Sequence, residues 1–534
     1  MINDILAGRN RLVVPKFAHA ITTARNNHRG NERLRFLIRS GVVRAEKVKD
    51  VRFEPDCSAK TISTVKYWIS LLGGVRCEHL EAWPLMMANS WSRLWQTFNE
   101  VLVRPGVRAA VNNFRWLVAE KLVRLMFTAI VGFWVARYLG PVRFGTLNYC
   151  MAWVALFGVI PELGLEAVVK RHLISHPKEE SAVLATTVML RLAAILVAGA
   201  SLALVTWLFV DNAVERRLMG ILGLLLFQPV WLSWDHWFQA RLWARVSVLA
   251  QAGAYAIGAL LRIAMILWHA PITAFAVVAV LESACAGMIL IGLARNKGLR
   301  LEWRSASLTW CRSLLAQSLP LLLSGMAVLI YMRIDAVMLR NMAGEKVVGI
   351  YMAAVRLSEI GYFLPVAMAS SLLPALLRQR ATDRANYEAS FQRYYDLSAG
   401  CAYALALPMA LMAPWIIQLA YGAAYREAAP VLAVHAWANL FVFLGVARGQ
   451  FLVNEGLTGF YLAATAAGAL TNIVLNLILI PRIGAIGAAT ATVVSQAAAA
   501  WVSSYLHPAA RVAAASQTRA LLLPFNGWRY FSRP

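Results

Sequence analysis

The sequence predicts an all-α polytopic membrane protein of about twelve transmembrane helices in two six-helix lobes. Three observations carry this. Of 534 residues, 60% are hydrophobic and 15% charged, against roughly 45–50% and 25% in soluble domains. The mean hydropathy of +0.58 describes more apolar surface than a water-soluble globule can hide. It also excludes disorder, since disordered chains are poor in apolar residues. After about residue 112 the chain becomes a series of apolar runs separated by short polar loops, each of the roughly 20 residues that a ~30 Å hydrocarbon core demands. The runs are continuous rather than alternating, which argues against a spanning barrel. Helices are required, because hydrocarbon offers the backbone no water.

Residues 1–111 form a basic segment expected in the cytoplasm. Its first 86 residues hold 15 Lys/Arg and 8 Asp/Glu, with no apolar run long enough to span. The opening MINDILAGRNRLVV lacks the continuous apolar core of a cleavable signal peptide. Stretches 61–75 and 85–103 mix Trp and Leu with cations and suit a membrane surface. Two readings stay open for 1–86: a loosely ordered tail, or a reading frame extended upstream of a start at Met87. The twelve expected spans are 114–138, 144–166, 182–210, 217–235, 245–269, 271–293, 312–340, 347–377, 391–418, 428–452, 458–481 and 485–507. They group as one lobe over 112–294, a basic inner linker over 295–311, a second lobe over 312–507 and a cytoplasmic tail over 508–534.

Charge sets the orientation. The chain carries 52 Lys/Arg against 27 Asp/Glu, a net +25. In a soluble protein such an excess would point to nucleic acid, but here the cations sit mostly in short loops. With the N-terminus inside, the inner loops and tail hold nineteen of them, Arg448 included, and the outer loops eight. That imbalance satisfies the positive-inside rule. Both termini are therefore expected in the cytoplasm, and no nucleic-acid partner is expected.

A shift of 204 residues places Gly140 on Gly344, Gly145 on Gly349 and Pro161 on Pro365. All three fall around the first loop and second span of each half, as an internal duplication would place them. Parallel repeats put a transporter's site at their interface, near mid-membrane.

Residues 136–173 read ARYLGPVRFGTLNYCMAWVALFGVIPELGLEAVVKRHL. This resembles the oligosaccharide flippases of the polysaccharide-transport (Wzx-like) family, whose first loop typically reads R-Y-L-G-P-x-x-F-G. Here those positions are Arg137, Tyr138, Leu139, Gly140, Pro141, Phe144 and Gly145. The run LILIPRIGAIGAATATVVS over 477–495 is similar to the same family's last two helices. The resemblance covers roughly 112–507 and implies the multidrug/oligosaccharidyl-lipid/polysaccharide exporter superfamily, with alternating access. It implies a substrate too, polyprenyl-diphosphate-linked oligosaccharide crossing a bacterial inner membrane for surface polysaccharide biosynthesis. The lipid bilayer, a polysaccharide polymerase and other export proteins are the implied partners. Residues 1–86 match nothing in the family pattern.

Ionisable residues inside spans are costly and usually face a cavity or a partner. On the first span Glu120, Lys121, Arg124 and Thr128 fall at helical spacing. On the seventh, Gln317, Ser324, Tyr331 and Asp335 form a stripe, with Arg333 off its face. On the eighth, Arg356, Glu359 and Ser370 share a face. Arg191, Arg262, Glu282, Asp396 and His435 complete the set. Spans 1, 2, 7 and 8 line the central opening in the family resembled. Arg124, Arg356 and Arg333 are thus the candidate substrate-binding residues, their planar forks suiting phosphate. Glu120, Asp335 and Glu359 are the candidate coupling or ion-pair acids. The competing reading is structural: Glu120–Arg124 and Arg356–Glu359 neutralise each other, and Arg333 snorkels to the outer interface.

No catalytic residue, cofactor or metal site is expected. There is no GxxxxGK[ST] phosphate loop. His172 and His176 enclose Leu-Ile-Ser rather than a glutamate-bearing zinc motif, and the six cysteines form no CxxC pair. A transporter rather than an enzyme is expected, with a cation-coupled exporter of small amphipathic compounds as the alternative. An enzyme acting on lipid-linked glycan is the third reading and lacks a catalytic constellation. Reporter fusions after Lys178, Gly298 and Arg384 are expected to read cytoplasmic, and those after Asp211, Glu345 and Arg426 external. Reversal at any two would overturn the topology.

Overall fold

The computed structural model describes residues 105–382 and 384–526; within these, the side chains of 105–129, save Trp116, Met126 and Phe127, of 374–385, save Leu376, and of 525–526 lie outside the description. Every described element is helical. In chain order these are α1 (Pro105–Glu162), α2 (Leu165–Ser175), α3 (Glu180–Phe209), α4 (Ala213–Gly223), α5 (Gln228–Ala240), α6 (Ala244–Leu267) and α7 (Ile272–Asn296). The second half holds α8 (Leu308–Ala343), α9 (Glu345–Glu359), α10 (Phe363–Thr382), α11 (Arg384–Leu411), α12 (Ala413–Tyr421), α13 (Ala428–His435), α14 (Ala438–Asn454), α15 (Thr458–Ala500), α16 (Arg511–Leu521) and α17 (Leu523–Asn526). Among the described residues, nine helical stretches are long and apolar enough to cross a membrane, or ten if one bent pair counts as a span. The chain is a polytopic all-α membrane protein.

The helix breaks have local causes, and one of them interrupts an expected span. α1 changes direction at Gly140 and α15 at Ile483–Gly484, where the non-helical backbone separates stretches expected as separate spans. The ninth bends by 76° between α11 and α12. Pro414 stands at the first turn of α12, and a proline there cannot donate to the preceding turn while its ring clashes with the carbonyl four residues back. The last candidate span runs to Leu506, close to the expected 507, with the α-helix giving way after Ala500 to a tighter turn over Val502–Leu506. Gln517, fully buried on α16, donates to the Ala500 carbonyl at 2.8 Å and to the Leu444 carbonyl at 3.4 Å. Residues 511–521, expected in a tail, thus form a helix sealed against α11 and α14, where Ala510, Ala513 and Ala520 join a core with Tyr387, Phe391 and Phe443. Arg448, counted above as a loop cation, is buried on α14 and donates to the Ala499 carbonyl and Ser503 Oγ.

The internal duplication reappears as paired backbone geometry. Gly140 has φ 68° and ψ 170°, and Gly344 has φ 90° and ψ 173°. Both lie in the left-handed half of φ space, where a side chain would be strained. Each turns the chain from one long helix into the next, and the two following helices cross. A Cβ on Gly145 would overlap the Glu345 carbonyl oxygen, and a Cβ on Gly349 would overlap the Pro141 carbonyl oxygen. The contact is reciprocal, since Pro141 and Glu345 are themselves 204 residues apart. The chain ends around this crossing are tied as well: Arg137 donates to the Leu419 and Ala420 carbonyls, Tyr425 to the Ala136 carbonyl, and Arg340 pairs with Glu215 at 2.8 Å. The larger core draws on both halves, including Phe144, Leu147, Val348 and Tyr351, whereas the smaller belongs to the second half alone.

Overpacking a tight contact costs about 1–3 kcal/mol. Gly145→Ala or Gly349→Ala is therefore expected to lower the thermal midpoint of the detergent-solubilised protein. Gly158→Ala, whose new methyl meets nothing within 4 Å, should leave it unchanged.

Candidate functional site

The Gly145–Gly349 crossing positions the polar residues that follow it. Asn148 lies one turn beyond Gly145 and Arg356 two turns beyond Gly349, about 5 and 10 Å along their helices at 1.5 Å per residue. Both line a cavity of ≈420 Å³ whose walls also include Phe133, Met151, Arg333, Met352, Glu359 and Tyr421. Arg356 Nη2 donates to Asn148 Oδ1 at 2.7 Å, and its guanidinium lies 5.0 Å from the centroid of the Phe144 ring. Gly132 on α1 leaves room for it, 3.7 Å from where a Cβ would stand. A second cavity of ≈310 Å³ abuts the same arginine and is lined on its far side by α5, α6 and α7.

The structure brings Arg333, Arg356 and Glu359 to one cavity. Arg124 and Glu120 lie outside the residues whose side chains are described. The expected Arg356–Glu359 neutralisation does not form. Glu359 instead accepts from Arg333 Nη1 at 3.5 Å, leaving Arg356 the amide of Asn148. Among the described residues no carboxylate is in ion-pair contact with Arg356. Snorkelling of Arg333 is not seen either, since its side chain is drawn inward to Glu359 and is 27% exposed.

Asp335 is separate from this cavity, as its helical offset from Arg333 requires. It is 2% exposed. Its carboxylate accepts from Tyr351 Oη at 2.5 Å, Asn476 Nδ2 at 2.6 Å and Thr492 Oγ1 at 2.7 Å. Asn472 Oδ1 accepts from Asn476 in turn. Three neutral donors surround the acid, and among the described residues no cation pairs with it. The rest of the expected stripe has other work: Gln317 bonds Arg171, His172 and Ser313, and Ser324 donates to the Pro320 carbonyl.

Of the remaining intramembrane charges, Arg262 and Glu282 pair at 2.5 Å in the second cavity. Arg191 donates to the Pro229 carbonyl and Ser233 Oγ beneath the bundle surface. His172 and His176 pack edge-on against Trp310, and the described residues hold no cluster of three or more metal-ligating side chains. Asn148 and Tyr421 were not singled out from sequence. The signal for Asn148 was present, a polar residue one turn past a helix-crossing glycine, but Asn inside an apolar run carries no charge to draw attention.

The family model described as polysaccharide biosynthesis protein matches residues 110–380, about half of the chain. The chain belongs to that family. The match runs from the first span through the Arg356 helix and takes in both glycines of the crossing, in keeping with the resemblance to Wzx-like flippases. The chain is also similar to "Probable flippase AglR" of Haloferax volcanii, 32% identical over 174 residues, 31% of this chain and 35% of that protein. It thus spans about a third of the length of that relative. Its fold is similar to an inward-facing multidrug resistance MATE family transporter of the MOP superfamily, with TM-score 0.59 at 15% identity over 76% of this chain and 99% of that one. It is similar as well to the lipid II flippase MurJ in an inward closed conformation, with TM-score 0.58 at 12% identity over 79% and 94%. At these identities the likeness is one of fold.

Removing one partner of a buried pair leaves an uncompensated charge. Arg333→Gln is therefore expected to destabilise by about 1–3 kcal/mol, at the lower side because the pair is partly open to the cavity. The double variant Arg333→Gln/Glu359→Gln should recover most of the loss in a thermal-shift comparison. Additive losses would show that the two do not act as a pair.

Proposed function

We propose that the protein is a flippase that moves polyprenyl-diphosphate-linked oligosaccharide from the inner to the outer leaflet of a bacterial inner membrane, by alternating access, for surface polysaccharide biosynthesis. One observation carries the reading: Arg356 stands at the junction of two cavities, held by an amide and free of any carboxylate partner among the described residues. A diphosphate cannot shed water inside hydrocarbon unless fixed donors replace it. A guanidinium offers several of them in one plane. Arg333, already paired with Glu359, would supply a second set by exchanging its carboxylate for phosphate.

The packing supports an outline of the transport cycle. The two lobes, 112–294 and 312–507 joined by 295–311, would rock about the contacts made by residues 171–179 with Trp310 and Gln317. In this reading the ends around Gly145 and Gly349 would be the external gate, closed in an inward-facing state, and both termini would lie in the cytoplasm. The prenyl chain would stay in lipid while the head group passes between the lobes. Asp335 is the candidate for the coupling site, because Glu359 is committed to an ion pair and Asp335 is not. Against the cation-coupled exporter of small amphipathic compounds, which needs cavity acids more than cavity arginines, the cavity's unpaired charge at Arg356 is positive.

The test compares Arg356→Lys with Arg356→Gln in a strain lacking the gene, scoring surface polysaccharide and trapped lipid-linked sugar at equal membrane abundance. Lys keeps the charge but loses the planar fork, so partial transport is expected from it and at least a tenfold loss from Gln, equivalent to about 1.4 kcal/mol. Normal transport by Arg356→Gln would overturn the substrate clamp.

A further inference from the structure

The second cavity has a composition of its own. It lies between α1, α5, α6 and α7 and adjoins the first cavity along Gly132, Met151 and Arg356, of which Arg356 alone is charged. Its polar wall is Gln228, Tyr255, Arg262 and Glu282, facing the aromatic rings of Phe127 and Phe275. The Arg262–Glu282 pair is built by backbone design. Gly258 and Arg262 lie one turn apart on the same face of α6, and the space a Gly258 Cβ would take is filled by the Glu282 carboxylate reaching across from α7. There Glu282 Oε2 accepts from Arg262 Nη1 at 2.5 Å. The side chains keep 25% and 16% exposure, so both remain in reach of a ligand. The pair cancels its own charge, leaving Arg356 at the mouth as the cavity's uncompensated cation among the described residues.

We propose that this cavity is the subsite for the sugar joined directly to the diphosphate, and that the Arg262–Glu282 pair makes it take an uncharged sugar ring and reject an acidic one. The inference rests on the diphosphate being held at Arg356, as read above, since the next group along such a substrate then enters whichever cavity shares that residue. Small-molecule sites begin at about 300 Å³, so ≈310 Å³ holds a ring-sized group rather than a chain of them. A sugar ring offers hydroxyls in its plane and apolar C–H faces. The carboxylate, guanidinium and amide answer the first and the aromatic rings the second. An acidic sugar would bring a carboxylate beside Glu282, where like charges in a low-dielectric site repel strongly.

The test uses the full chain in nanodiscs and three probes: undecaprenyl diphosphate, the same lipid carrying one neutral hexose, and the same lipid carrying one hexuronic acid. The wild type is expected to bind the hexose lipid about tenfold tighter than the hexuronate lipid, the increment of one well-made polar contact. Glu282→Gln frees Arg262 and should reverse the order, favouring the hexuronate. Gly258→Ala displaces the carboxylate while keeping both charged groups, and should narrow the same ratio without the reversal. Equal affinity for the two sugars in the wild type, or an unchanged ratio in Glu282→Gln while both lipids still bind, would overturn the subsite. If the wild type binds none of the three lipids, the diphosphate reading falls, and the subsite with it.

Discussion

Two helices meet in this molecule with no side chain between them, and much of the rest is arranged around that contact. Gly145 and Gly349 let the helices after Gly140 and Gly344 touch backbone to backbone. In hydrocarbon such approach replaces the hydrophobic drive that lipid tails cannot supply. Because the helices cross there, the residues one and two turns further along diverge at a defined angle. That divergence is the cavity. Asn148 comes from one helix and Arg356 from the other, and their hydrogen bond bridges the gap just below the crossing.

The charges divide into those that hold the bundle and those that face its openings. Arg340–Glu215 and the bonds from Arg137 to the α12 carbonyls belong to the first group. Arg191 and Arg448 do as well, each donating to a backbone carbonyl and a hydroxyl. Arg356, Arg333–Glu359 and Arg262–Glu282 face the cavities. Exposure alone does not separate the groups. The distinction is geometric: Arg137, Arg191 and Arg448 spend donors on backbone oxygens and Arg340 is fixed by the buried Glu215, whereas the cavity cations are met by side chains that have room to exchange partners.

Much of this was legible in the sequence, in proportion to how local its cause is. Apolar runs gave the helical class, because span length depends on bilayer thickness alone. The 204-residue shift gave the two special glycines, since backbone conformation follows residue type closely at such positions. Pairing was less legible. Helical spacing suggested Arg356–Glu359, but Glu359 bonds Arg333 from a neighbouring helix, and an interhelical contact leaves no trace in local periodicity. The same limit hid the packing of Gln517 against Ala500, which recruits residues expected in a tail. The break at Ile483–Gly484 falls between two expected spans, but the one at Pro414 does not, since a proline in an apolar run is equally compatible with continuation.

The crossing has a mechanical consequence. Side chains relax a contact gradually, by rotating one bond at a time, but main-chain atoms packed against each other have no rotamers to spend. Helices joined in this way separate as whole bodies or stay together. An interior that is close-packed resists partial displacement in the same manner. As the gate proposed above, the seam at Gly145 and Gly349 would therefore act as a latch with two positions, leaving no stable geometry for a half-open pore through which ions could leak.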